Sequence, residues 1–193
     1  METVVKALAH ASFSEIAERT SALYDEKGDS LLLGMLGQEY VIRREGISLH
    51  GQKAPENQAS VILDYLVSPG TVPALVPWRT MSDFMSGPSP DFRKKVELPI
   101  SQYASEVITR AQALMPMFDA TAVGSLIGSD MALVVRALPR ISLRVELSQE
   151  TQDFPVEAWV LFSHNANAFL SVSNLQALAE LFKDRLLSLL RIY

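Results

Sequence analysis

Cysteine is missing from the 193 residues, and histidine is scarce at three. Without a thiol the chain can form no disulfide, no thiolate zinc site, no cysteine-ligated iron–sulfur cluster and no cysteine nucleophile. His10, His50 and His164 fall in a predicted helix, a loop and a post-strand loop, with no zinc-ligand spacing, so no metal and no cofactor is expected. A membrane-spanning run of about 20 apolar residues is also lacking. The nearest stretch, LAELFKDRLLSLLRIY, is broken by Lys183, Asp184, Arg185 and Arg191. The opening METVVKALAHASFSEIAERT has no basic leader before a long apolar run. The expectation is a soluble, cytoplasmic protein with no membrane contact. Charge is sparse as well, at 20% of residues with a net of -5, which gives no general reason to expect a nucleic-acid partner. Only residues 71–145 are mildly basic, with eight bases against six acids.

What is present is apolar and patterned. A hydrophobic share of 48% and a mean hydropathy of +0.14 exclude intrinsic disorder. Ser12-Phe13-Ser14-Glu15 fits a capping box, and Phe13, Ile16, Ala17, Thr20 and Tyr24 then recur on one helical face, with Lys27-Gly28-Asp29 as the stop. A short helix over residues 2–10 precedes it. SLLLGML and QEYVIRRE, either side of Gly37, predict a hairpin that turns Arg43 and Arg44 to solvent. PENQASVILDYLV predicts a helix with Pro55 in its first turn, and residues 99–115 predict another, ended by Pro116. MFDATAVGSLIGSD reads as a short helix or turn. ALVVRAL, ISLRVEL and VEAWVLF predict three late strands. In the second, Ile141, Leu143, Val145 and Leu147 oppose Ser142, Arg144 and Glu146. Ser173-Asn174-Leu175-Gln176 predicts the cap of a closing helix with a stripe of Leu178, Leu181, Phe182, Leu186 and Leu189.

The expected fold class is α+β. A mostly antiparallel sheet of about five strands, built from the early hairpin and the late strands, packs against helices. Residues 1–193 form one domain, interrupted by a proline-rich irregular segment at 69–92 with five prolines and two glycines. Trp78, Phe84 and Phe92 are spaced through that segment and anchor it if it is structural.

Several segments together resemble the family called domain of unknown function 3786. They are Leu138-Pro139-Arg140, Asp153-Phe154-Pro155-Val156-Glu157, Leu161-Phe162-Ser163, Gly128-Ser129-Asp130, the stretch ILDYLVSPGTVPALVPWRTMSDF and the closing leucine-rich helix. The resemblance covers residues 30–190 and implies one compact α+β domain with no established activity. Ser163 stands where the family tends to have aspartate. The iron–sulfur segments that accompany some members do not carry over to a chain without cysteine.

The candidate ligand-binding residues are Arg136, Arg140, Arg144, Asp153, Glu157, Trp78, Arg79, Asp130 and His164. The three arginines recur every four residues, and Arg136 and Arg144 come near each other across a hairpin. Two close guanidinium groups need an anionic ligand or flanking acids such as Glu146 and Glu157. Asp153 and Glu157 lie about 13 Å apart if extended, beyond the ~6.5–9.5 Å of an inverting glycosidase pair. The plainer reading pairs Glu157 with Arg144 or Arg140 across strands. Glu157 and His164 sit at opposite ends of one predicted strand, which counts against joint catalysis. Trp78 and Arg79 line a cleft mouth or pin the proline-rich loop. Asp130 follows Gly124 and Gly128 in a ligand loop or a turn.

Three functions stay open. The first is a binding module for a small anionic molecule or a protein partner, a second copy of the chain included. The second is a hydrolase-like enzyme using acidic residues at the end of a late strand. The third is a structural or regulatory accessory without pocket chemistry.

Overall fold

The computed structural model describes residues 8, 11–70, 76–85, 87–152 and 155–192. The helix expected over residues 2–10, Leu8 apart, lies outside them, as does Asp153. Ser12 caps helix α1 (Phe13–Thr20), its hydroxyl accepting from the Glu15 amide at 3.4 Å. The helix stops earlier than the apolar spacing implied. The Thr20 hydroxyl donates back to the Ile16 carbonyl at 2.6 Å and Ser21 turns left-handed, so Tyr24 falls in strand β1 (Leu23–Asp25).

The predicted hairpin is β2 (Ser30–Met35) and β3 (Gln38–Arg43). Its two-residue turn places both Leu36 and Gly37 at positive φ, 52° and 73°, the geometry that matches the twist of paired strands. A Cβ on Gly37 would overlap the Met117 carbonyl oxygen, a main-chain atom that cannot swing away. Gly37→Ala is therefore expected to cost roughly 2–4 kcal/mol, from left-handed strain plus overpacking. A urea midpoint unchanged by the substitution would show that the turn and Met117 are not in contact.

β4 (Gly46–Leu49) and β5 (Gln52–Lys53) complete an antiparallel meander in the order β1-β2-β3-β4-β5. Helix α2 (Glu56–Val67) follows Pro55 and buries Val61, Ile62, Tyr65 and Leu66. The proline-rich segment contains α3 (Met81–Phe84) and α4 (Pro90–Phe92). A π turn (Arg93–Glu97) then leads into α5 (Leu98–Ser101) and α6 (Ala104–Leu114). The stretch expected as a helix or turn after residue 116 includes strand β6 (Ala120–Val123), too short to show its period. β7 (Met131–Leu138), β8 (Ile141–Ser148) and β9 (Glu157–Phe162) are the three predicted late strands, paired antiparallel in the order β6-β7-β8-β9. The closing helix α7 (Val172–Ile192) begins ahead of the expected Ser173 cap. The Ser171 amide and hydroxyl both donate to Asp64, at 2.9 and 2.7 Å, which ties the helix start to α2.

The fold is α+β and antiparallel, as expected, but it has two sheets rather than one of about five strands. Both sides of β2 and β3 are taken within the meander, and β7 lies between β6 and β8, so no free edge lets the hairpin join the late strands. Among the described residues one main-chain bond, from the Leu36 amide in the β2–β3 turn to the Ala137 carbonyl of β7 at 2.9 Å, links the two sheets. What joins the halves is one contiguous apolar core, to which Leu33, Tyr40, Ile62, Val145, Phe162, Leu178 and Phe182 all contribute. The Tyr65 hydroxyl sits at this junction. It donates to the Thr20 carbonyl at 2.6 Å and accepts from the Arg140 amide at 3.1 Å.

Candidate functional site

Strict alternation in β8 puts Ser142, Arg144 and Glu146 on the face away from the aliphatic core, where solvent is expected. Arg144 and Glu146 are instead buried, at 4% and 0% exposure. Two pieces of chain cover them: Trp78 from the proline-rich segment and the loop between β6 and β7. The Arg144 Nε donates to Glu146 Oε1 at 2.6 Å, its Nη2 donates to the Gly124 carbonyl, and the guanidinium lies 6.0 Å from the centre of the Trp78 ring. Glu146 also accepts from the Leu126 amide at 3.1 Å, from the Ser125 hydroxyl at 2.8 Å and from the Ser129 hydroxyl. Burial pushes the Glu146 carboxyl up. The bonds from Ser129, the Leu126 amide, Ser125 and Arg144 outweigh it and hold the group below the usual glutamate range. Glu146 is filled with internal donors and Arg144 is paired to it, so the cluster clamps the loop between β6 and β7.

The structure distributes the remaining candidates. Arg79 exchanges two main-chain bonds with Phe162, at 2.9 and 2.8 Å. Its guanidinium reaches His164 Nδ1 at 3.5 Å and the Asp83 carbonyl at 3.3 Å. Trp78, Arg79, Arg144 and His164 thus gather along β8 and β9. Arg136 is exposed and pairs with Asp119 at 3.3 Å, so it does not join Arg144 in one anion site. Arg140 lies at the β7–β8 turn, and its carbonyl accepts from Asn165 at 2.8 Å. Asp130 is exposed and accepts from the Gln149 amide at 2.7 Å, which makes it a turn residue.

The cross-strand pairing expected for Glu157 is corrected. The register sets Glu157 opposite Ser148 and sets Arg144 opposite Leu161, so Glu157 meets Arg93 instead, at 3.4 Å. Glu157 and His164 bracket β9 at its two ends. Glu97, absent from the sequence candidates, accepts from the outward Val160 amide of β9 at 3.1 Å. Burial raises its carboxyl above the usual range, against the pull of that amide and of Arg93. Its position follows from the π turn, which periodicity does not reveal.

A broad groove was also missed. It opens between β4–β5 and the start of α2, with a volume of about 910 Å³. Ile47, Ala54, Ala59 and Leu63 supply its apolar wall, and Arg43, Lys53, Glu45 and Glu56 its charged rim. Neighbouring arginines behave differently here. Arg44 is committed to the fold: it donates to the Leu8 and Ala11 carbonyls at 2.7 and 2.6 Å, pairs with Asp29 and stacks on Phe13. Arg43, the last residue of β3, has a side chain that makes no hydrogen bond or ion pair with any described residue, and the Lys53 side chain makes none either. Both arginines were expected to face solvent; Arg44 instead falls past the end of β3, in the turn to β4, where the Leu8 and Ala11 carbonyls and Asp29 hold it.

Among the described residues no group of three or more histidine and acidic side chains could hold a metal ion, and no helix is long and apolar enough to cross a membrane. Comparison with the curated proteins and with the solved structures finds no match in either. One family model does match, and it starts earlier than the resemblance over residues 30–190, taking in α1. With residues 12–185 covered, the chain belongs to the family described as Domain of unknown function (DUF3786).

Proposed function

We propose that this protein is a binding module that takes a small anionic ligand with an apolar body into the groove between β4–β5 and α2. One observation carries the reading: Arg43 and Lys53, unpartnered among the described residues, share the rim of an apolar-walled groove of about 910 Å³. That volume lies in the range of about 300–1,000 Å³ typical of small-molecule sites. Glu45 and Glu56 on the same rim favour a ligand of one or two negative charges over a polyphosphate, which they would repel. The three arginines singled out in the sequence contribute nothing to this reading: Arg136 and Arg144 already have carboxylate partners, and Arg140 does not line the groove. Hydrolase chemistry has less support. Ser125 and Ser129 contact Glu146 and each other, and among the described residues no histidine contacts either.

Anilinonaphthalene sulfonate, an aromatic body with one sulfonate, has the required chemistry and reports its own binding by fluorescence. The folded protein is expected to bind it saturably. Reversing both rim cations (Arg43→Glu with Lys53→Glu) should weaken binding about tenfold or more, as like charges replace attraction. The same pair of substitutions should leave the urea midpoint nearly unchanged. Equal dye affinity in the reversed variant would remove the groove as the site.

A further inference from the structure

An edge strand offers a row of unpaired main-chain groups to any other strand, and folded proteins usually blunt such edges. Three of the four sheet edges here are blunted. β1 has only three residues and ends in Asp25, and β5 has only two and carries Lys53. β9 is covered by the two main-chain bonds with Arg79 and by the Glu97 carboxylate on the Val160 amide. The fourth, β6, has no such protection among the described residues. Its residues are Ala120, Thr121, Ala122 and Val123, with no charge, no proline and no glycine, and the last three are exposed.

The ladder determines which atoms are free. The Asp119 carbonyl accepts from the Arg136 amide at 3.4 Å, so Asp119, Thr121 and Val123 direct their main-chain groups toward β7. The amides and carbonyls of Ala120 and Ala122 then point outward, and no described residue bonds to them. Apolar side chains gather along the same border: Met117, Val123, Leu126 and Ile127 are 38%, 37%, 61% and 54% exposed. The loop bearing Leu126 and Ile127 is held by Ser125, Ser129 and the Leu126 amide on Glu146. A tip held this way loses little freedom on docking.

We propose that β6 is a dimerisation edge, on which the β6 of a second copy pairs antiparallel about a two-fold axis through Thr121. Antiparallel pairing requires outward-pointing residues to face one another, and this register satisfies it. Ala120 of each copy faces Ala122 of the other, and threonine meets threonine on the axis, a favourable cross-strand pair. Asp119 faces Val123 rather than another acid, so no like charges oppose. The same two-fold brings the Leu126–Ile127 tip of each copy toward the end where the other exposes Met117. A strand with one charge sign along it would find no complement in this neutral edge, whereas β6 itself is neutral. The proposal is independent of the groove.

Sedimentation velocity on the full chain, over a wide concentration range, tests this edge. The expected result is a monomer–dimer equilibrium. Ala122→Pro removes an outward amide while sparing the bonds to β7, and should leave only monomer. Thr121→Lys sets two ammonium groups against each other on the axis and should raise the dissociation constant about tenfold or more at low salt. Circular dichroism checks that each variant folds; if Ala122→Pro does not, Thr121→Lys decides. A wild-type protein that stays monomeric throughout, or a dimer that survives in the folded variants, overturns the proposal.

Discussion

Replacing Glu146 by alanine is expected to lower the unfolding free energy by about 3–5 kcal/mol, the usual cost of stranding one partner of a buried ion pair. The Arg144 guanidinium would stay buried under Trp78 with only the Gly124 carbonyl as partner. Ser125, Ser129 and the Leu126 amide would lose their acceptor at the same time. Removing both charges together, Arg144→Met with Glu146→Leu, should cost less than removing either one, because no uncompensated charge remains. The pH dependence has a definite sign. The folded carboxyl is held below its unfolded range, so the stabilisation is complete above about pH 4.3, the unfolded glutamate value, and is lost as pH falls through the folded value. Urea titrations of wild type and Glu146→Gln across the acid range should show the wild type losing more stability than the variant. A cost under about 1 kcal/mol for Glu146→Ala would mean that water reaches the pair and that it belongs with surface ion pairs.

Phe162→Ala is expected to cost a similar ~3–5 kcal/mol, as large aromatic truncations in a core do. The ring is fully buried, with Phe84 at 5.8 Å edge-on and Phe92 at 5.9 Å. Those two rings are what the proline-rich segment rests on. The damage should therefore be local as well as global, with amide exchange around residues 79–92 accelerating beyond what the lower global stability explains. Phe162→Leu, which keeps most of the volume, should recover much of the loss. Uniform acceleration across the whole chain would show that the segment has no private anchor there.

The elements with a long apolar period were legible in the sequence. The first helix cap, the hairpin around Gly37, α2 behind Pro55 and the three late strands stand where their spacing placed them, and the closing helix starts slightly ahead of its expected cap. The elements that escaped have two to four residues (β1, β4, β5 and β6) or a changed period, as in the π turn. A strand of that length is specified by its partner strand more than by its own residues. The candidate residues fared according to range. Aromatics expected to pin the proline-rich loop do so at Phe84 and Phe92, because burial favours them wherever the loop lies. Glu157 took Arg93 as partner because pairing across a sheet depends on register, and a one-residue difference changes every neighbour.

Composition settled that no chemistry here passes through cysteine, and local patterning that the chain buries an α+β core. Those conclusions depend only on which side chains exist and on their local periodicity. Tertiary structure alone decided that the early and late strands form separate sheets, that Arg144 and Glu146 are buried, and that α2 walls a groove beside Arg43. Each of these follows from chain returning to cover a face or an edge from far away in sequence: loop 124–130 and Trp78 over β8, α2 beside β4. A residue's own neighbours carry no record of that.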